Sequence, residues 1–423
     1  MQLPFIFLST LKQRGLFILI ISIILLLILI MQIINGRFWM HDFEVYYKAS
    51  QAFASGNKMY GLTFGLDSGY YKYSPFALYI FLPISLLPFG AAKIVFFLLI
   101  CAALITTLIL SAQLLQYSLQ SIKTISNGML FILMAIVSSV VFRELHLGNV
   151  NVILLLLSLI MLWFLLSGKQ ITAGILFAFV LFIKPHFLIL APLLLFRKQY
   201  KSIAITLLGL TIGCLLPAIV TGISENMVLH KEWLQTMQDH NKSLWQAYDT
   251  IYSLFLHILL YIQKFNIQFY DKAVELTLLI IVAASFGWFV IGNIKRERKI
   301  QPQHIGRSFT IEFMILIALI PNLVITDTEH FLLSIPLILF LLGLMRIKTP
   351  LWFKIEVVIA FILYAMNIYD LIGTNFSLWL THNGILGLAN LMLIGLTMYG
   401  YRNFELKGIM PERKFRQLSE EQS

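Results

Sequence analysis

Charge is what this sequence has least of. Only 12% of its 423 residues are Asp, Glu, Lys or Arg, about half the ~25% of an ordinary soluble domain. With 59% hydrophobic residues and a mean hydropathy of +0.86, the chain carries far more apolar surface than a water-soluble core of this length needs. Cysteine is nearly missing. Cys101 and Cys214 both sit inside apolar runs, which excludes a disulfide framework and a cysteine metal site. No Walker loop, GxGxxG or GxSxG stretch occurs, which argues against ATP-driven transport and against a nucleotide-sugar site in this chain. A small-residue cleavage site after residues 16–35 is lacking too, so that segment reads as an uncleaved first span and not as a signal peptide.

What is present is a series of long apolar runs, near 16–35, 91–117, 128–142, 150–167, 171–183, 187–196, 202–220, 273–294, 309–326, 331–345, 352–371 and 384–401. Lipid offers the backbone no hydrogen-bond partner, so only helices or closed barrels cross it. These runs are continuous and not alternating, which predicts an all-α polytopic membrane protein with about twelve transmembrane helices. The net charge of +11 lies between the runs, where it sets topology and does not mark a nucleic-acid surface. With Lys12 and Arg14 cytoplasmic, twelve crossings place the turns at Lys123, Lys169, Arg197–Lys198, Lys295–Lys299 and Arg346–Lys348 on the same side, with the tail from Arg402. Residues 1–402 therefore read as one transmembrane domain and 403–423 as a short, polar, disordered cytoplasmic tail. Segments 171–183 and 187–196 are short for full spans and read as a hairpin or a broken re-entrant pair. Segment 250–263 is placed on or in the outer leaflet. Residues 75–89, with Pro75, Pro83 and Pro88, read as an interfacial helix or a half-helix.

This topology sends six polar pieces to the outer face: 36–74, 143–149, 184–186, 221–272, 327–330 and 372–383. The first and fourth are long and rich in aromatic residues, and long loops of that kind are usually functional. The first begins HDFEVYYKAS. Its acids, Asp42 and Glu44, follow the first span closely, where a carboxylate is either a helix cap or a functional group; on a helix the two point in different directions. Lys72, between Tyr71 and Tyr73, reads as an interfacial anchor or a lipid-phosphate ligand. In RELHLGNVN, Arg143 offers either a partner to Glu144 or a phosphate ligand. His146 stands beside the turn at Gly148, and Asn149 and Asn151 lead into the next span. Lys184, in Lys184-Pro185-His186, lies between two apolar half-helices and calls for an anion, or else snorkels to the headgroups. Asp327, Glu329 and His330 end another boundary turn, with no further spacing that supports a metal.

In order, these pieces resemble glycosyltransferase family 87, which is GT-C-type. DFEVYYKASQAFASGNKMY, with Asp42, Tyr46 and Tyr47, is similar to its first loop, and YKYSPFALYIFLPISLLPF, with Tyr73 and Pro75, to its Tyr-x-Tyr-Pro-Pro stretch. GNVN resembles Gly-Gln-x-Asn through Gly148 and Asn151; KPHFLILAPLLLFRKQY resembles a Lys-Pro…Arg segment; NKSLWQA, with Asn241 and Ser243, resembles Asn-Gln-Ser-Leu; and His330 resembles a late histidine. The likeness spans about 36–340. Ser74, Asn149 and Lys242 depart from the family pattern at its first proline and two glutamines, so the sugar and acceptor are not inherited.

The resemblance implies a membrane hexosyltransferase moving a sugar, mannose in the best-known members, from a polyprenyl-phosphate carrier to a lipid or glycan acceptor on the outer face, with inversion. Asp42 becomes the candidate base. Lys184, Arg143 and then Lys72 become candidates to offset phosphate charge, and His330 a group that orients Asp42 or binds sugar. Glu44, Tyr46, Tyr47, Tyr73, His146, Asn151, Asn241 and Ser243 are the further substrate-binding candidates. No cofactor and no metal are called for; membrane lipids surround the chain. The competing readings are a secondary transporter, which predicts midplane charges and an internal repeat, and a polymerase or ligase of lipid-linked glycans.

Overall fold

The computed structural model describes residues 13–64, 69–119, 122, 124–240, 271–299, 305–324 and 327–405. The expected site residues Asn241 and Ser243, Lys242, segment 250–263 and most of the tail lie outside these. Among the described residues the secondary structure is helical, apart from one isolated bridge between Thr63 and Tyr70.

In chain order the helices are α1 (Gly15–Ile34), α2 (His41–Ala54), α3 (Pro75–Ser85), α4 (Phe89–Ser118), α5 (Asn127–Ile136), α6 (Ser138–Leu147), α7 (Asn151–Leu166) and α8 (Gln170–Ile183). A 3₁₀ turn (Pro185–Ile189) leads into α9 (Leu190–Phe196), α10 (Tyr200–Leu215), the one-turn α11 (Ala218–Thr221) and α12 (Ile223–His240). Then come α13 (Asp271–Lys299), α14 (Ile305–Leu319), a 3₁₀ stretch (Thr328–Ser334), α15 (Ile335–Met345), α16 (Leu351–Ala365), α17 (Tyr369–Ile372), α18 (Thr374–His382) and α19 (Ile385–Gly400).

The apolar runs become helices, but fewer than twelve have the length of a bilayer. Four described stretches are long and apolar enough to cross: Gly15–Ile34, Phe89–Ser118, Tyr200–Thr221 and Thr328–Met345. The count rises to six if α5 with α6, bent by 68°, and α18 with the helix after it, bent by 56°, are each one span. A helix such as α7 rises only ~24 Å, short of the ~30 Å hydrocarbon core. The turn expected at Lys295–Lys299 is instead the last part of α13. Residues 75–89 contain a helix, α3, as expected, and the two long polar pieces, 36–74 and 221–272, hold α2 and α12. The membrane assignment is also visible in side-chain exposure. Leu16, Leu19, Ile23, Leu26, Leu27 and Ile34 on α1 are all exposed, a continuous apolar face that only lipid can cover.

The chain divides into two compact units, residues 1–110 with 140–242 and residues 111–139 with 243–423. In the first, the amphipathic α2 packs on α3, and Phe43 stacks on Phe96 at 4.5 Å. The tight pair α8 and α10 is permitted by small residues, which let membrane helices approach closely; Thr206 Oγ1 donates across it to the Gly174 carbonyl at 3.1 Å. In the second, α15 packs on α5 and α19. Its buried polar groups meet one another: Asn390 donates to the Ala318 carbonyl at 2.7 Å, Asn293 donates to Glu312 at 2.9 Å, and the Ser118 and Thr310 hydroxyls lie 2.6 Å apart.

Candidate active site

The first unit brings Asp42, Tyr46, Tyr73, Asn151 and Lys184 to one turn, Gly148-Asn149-Val150-Asn151. Two left-handed residues make the crossing. Met40, before α2, has φ 57°, and Gly148, after α6, has φ 69°. A non-glycine residue at positive φ is uncommon and strained. Here it is held by the Met40 N–H, which donates to the His146 carbonyl at 3.2 Å. A Cβ on Gly148 would lie 2.8 Å from Met40 Cε and 3.0 Å from Phe43 Cβ. Glycine thus serves two needs there: the backbone angle and the close approach of α2.

Asp42, half-buried in the first turn of α2, is bonded through Oδ2 by the Asn149 side chain, Nδ2 to Oδ2 2.6 Å. Glu44 takes a different direction. It pairs with Lys48 at 2.6 Å and lies 3.9 Å from His41 Nδ1. Both acids suit the positive end of the helix dipole, but only Asp42 is fastened to the following helices. Asn149 Oδ1 accepts the Val150 N–H at 2.7 Å and the Tyr46 hydroxyl at 3.5 Å. The Tyr46 and Tyr73 hydroxyls are 2.9 Å apart. Burial, and then the neighbouring Tyr73 and the charge of Asp42, push the Tyr46 phenol well above its ordinary pKa, so it serves as a neutral donor. Tyr60 donates to the Tyr73 carbonyl at 2.7 Å, which ties the second half of the first loop to the same cluster. Tyr47 faces away and donates to the Leu87 carbonyl at 2.7 Å.

A second buried chain runs through Asn151. Lys184, 6% exposed, donates Nζ–H to Asn151 Oδ1. Asn151 donates to Glu144 Oε2 at 2.9 Å, and the Val152 N–H donates to Glu144 Oε1 at 2.9 Å. Glu144 thereby caps α7 from outside, satisfying a backbone donor that has no partner within its own helix. The extended backbone at Lys184, between α8 and the 3₁₀ turn, is what brings its ammonium inward. The Ser74 N–H donates to the Phe182 carbonyl at 3.2 Å and joins the two loops. Ser74, standing where the family pattern has proline, caps α3 by accepting the Ala77 N–H at 3.3 Å.

The remaining candidates lie further out. The Lys72 carbonyl accepts from the Trp233 indole at 3.1 Å, fastening α12 to the first loop. Arg143 is exposed. The His146 ring lies 5.1 Å from that of Trp39. In the second unit, His330 closes a cap with Asp327, and its Nδ1 is 3.6 Å from the buried Glu329. Among the described residues no three His, Cys, Asp or Glu side chains converge as a metal site would require. Asn149 is the residue that sequence reasoning passed over. Sequence reasoning placed it only at the entry to the next span and as a departure from the family's glutamine, without its bond to Asp42.

The profile of glycosyltransferase family 87 matches residues 71–302, more than half of the chain. The chain belongs to glycosyltransferase family 87. Its long apolar helices make it a multi-pass membrane protein. Among curated relatives, an alpha-(1->3)-arabinofuranosyltransferase of Corynebacterium glutamicum is 28% identical over 184 residues, covering 43% of this chain and 41% of that protein; the chain thus matches less than half of that relative's length. Among solved structures, ArnT from Cupriavidus metallidurans, bound to undecaprenyl phosphate, aligns over 93% of this chain and 78% of its own, at 11% identity and a TM-score of 0.39.

Proposed function

We propose that this family 87 enzyme transfers a sugar from a polyprenyl-phosphate carrier to a lipid or glycan acceptor at the outer face of the membrane, with Asp42 as the base. The observation that carries the reading is the Asp42 carboxylate, anchored on one oxygen by Asn149 in a loop that follows a membrane span. A base is needed because a hydroxyl is a poor nucleophile until its proton is accepted in the transition state. The acceptor oxygen attacks the anomeric carbon, its proton passes to Asp42, and the bond from that carbon to the phosphate oxygen breaks. The carrier phosphate leaves with the electron pair, and direct displacement inverts the anomeric centre.

Preorganised cations stabilise the charge that grows on such a leaving group. Arg143, Lys184 and Lys72 are assigned that role. The transfer as proposed calls on no cofactor. The positive turns of the chain put the termini in the cytoplasm under this reading.

Mannose is the first donor to test, following the family resemblance. Arabinofuranose is the second, because it is the sugar in the relative's name. Purified protein in lipid is incubated with polyprenyl-phosphate-linked mannose and arabinofuranose over a panel of lipid and glycan acceptors. Consumption of one carrier sugar, abolished in Asp42→Asn, is the expected result. A fully active Asp42→Asn enzyme refutes the assignment of the base, and accumulation of unmodified solute in vesicles favours a transporter instead.

A further inference from the structure

The candidate base has an uncharged partner, Asn149. Asn149 is 5% exposed, and each end of its amide has a set direction. Its Oδ1 accepts from the Val150 N–H at 2.7 Å and from Tyr46 at 3.5 Å. Its Nδ2 must therefore point the other way, and it meets Asp42 Oδ2 at 2.6 Å. We infer that Asn149 is a positioning residue for the transfer, fixing which oxygen of Asp42 is anchored and how the carboxylate is aimed at the acceptor hydroxyl. The inference rests on the reading of Asp42 as the base.

The short asparagine side chain reaches Asp42 because the turn lies close to α2. Gly148 allows that approach, since any Cβ there would press on Met40 and Phe43. The Met40 to His146 backbone bond then locks the register of the turn against the start of α2. Tyr46 completes the arrangement one helical turn beyond Asp42. It holds the amide oxygen and lies beside Tyr73, so the loop that carries Tyr73 also bears on the orientation of Asn149.

The ionisable groups near Asp42 are His41, Glu44 and Tyr46 on its own helix, Glu144 and His146 on α6, Tyr73 from the first loop, and Lys184 beyond Asn151. Glu144 feels both the charge of Asp42 and that of Lys184. Against this fixed background, an amide N–H donated to a carboxylate favours the charged, proton-accepting form over the neutral acid. Removing it makes Asp42 easier to protonate. The acid limb of the pH–rate profile then moves to higher pH, and kcat falls because the carboxylate is no longer aimed.

The test compares Asn149→Ala, Asn149→Asp, Tyr46→Phe and Asp42→Asn in lipid nanodiscs, with the polyprenyl-phosphate sugar that the wild type consumes. Asn149→Ala is expected to lose about 10²-fold in kcat, the scale of a misplacement of about 1 Å, with KM for the donor changed less than about twofold. Its acid limb moves up in pH. Asn149→Asp occupies the same space, so it carries the test if the alanine variant does not fold. Two adjoining carboxylates share a proton, so its acid limb moves up further. Tyr46→Phe moves the limb the same way by a smaller amount. A merely structural asparagine would lower thermal stability and leave the limb in place. Wild-type kcat and an unmoved limb in Asn149→Ala or Asn149→Asp, with Asp42→Asn inactive, overturn the role of Asn149 alone. An active Asp42→Asn overturns the base itself, and the positioning role with it.

Discussion

The chain of bonds from Lys184 through Asn151 to Glu144 has a direction, and that direction can be tested. Lysine only donates and an ionised carboxylate only accepts, so the amide between them has one workable orientation. Asn151 presents its oxygen to Lys184 and its N–H to Glu144 Oε2, while the Val152 N–H occupies Oε1. Glu144→Gln replaces one acceptor by a donor. If the new oxygen stays with Val152, the new NH₂ faces the Asn151 NH₂. Rotating the Asn151 amide repairs that contact but turns its NH₂ toward the lysine. The mismatch moves and does not vanish. All three side chains are buried, at 1% for Glu144, 1% for Asn151 and 6% for Lys184, so the expected loss is ~1–3 kcal/mol, that of one buried group left unpaired.

Lys184→Met alone leaves the Asn151 oxygen unpaired and also removes the cation whose charge the buried Glu144 feels, so it costs at least as much. In the double variant the Asn151 amide is free to turn its oxygen toward the NH₂ introduced at position 144, leaving one defect where the singles sum to two. The cycle is therefore expected to show coupling of ~1–3 kcal/mol, with the double variant more stable than additivity predicts. Unfolding in mixed detergent–SDS micelles, followed by tryptophan fluorescence, measures it. A Glu144→Gln midpoint equal to wild type, or additivity within ~0.5 kcal/mol, refutes the directional chain.

Other consequences can be checked alongside. Gly148→Ala should destabilise by about 1–2 kcal/mol for the left-handed backbone and by more for the contact with Phe43, whereas Gly56→Ala, also at positive φ but with nothing within 4 Å of the new Cβ, should lose only the first part; thermal unfolding of the pair separates the two. Ser74→Pro, which installs the family's own residue, is expected to lower thermal stability, because it removes a cap worth ~1 kcal/mol together with the N–H that Phe182 accepts. Glu44→Gln should leave kcat near wild type, since its pairing with Lys48 is a partly exposed ion pair worth ~0.2–1 kcal/mol; a loss as deep as that of Asp42→Asn would transfer the base assignment to Glu44.

The sequence by itself determined the solvent of this protein. Long apolar runs and scarce charge leave no other environment, because burying that surface in water-soluble form would need a core the chain does not have. It also marked Asp42 and Glu44 together, as acids just past a membrane span, and the family resemblance then singled out Asp42. What it did not determine was where each helix stops. Hydropathy records which residues prefer lipid, but the bend between α5 and α6 and the shortness of α7 and α8 follow from which neighbours satisfy the exposed backbone.

Partnership at the site was decided by tertiary structure alone. Lys184 read as a lone cation awaiting an anion, and packing turned it onto Asn151. Asp42 and Asn149 are 107 positions apart in sequence, and no local pattern links them. They meet because Gly148 and Met40 adopt backbone angles that allow α2 to lie against the α6–α7 turn, and an angle of that kind is chosen by the packed chain as a whole, not by the residues on either side of it.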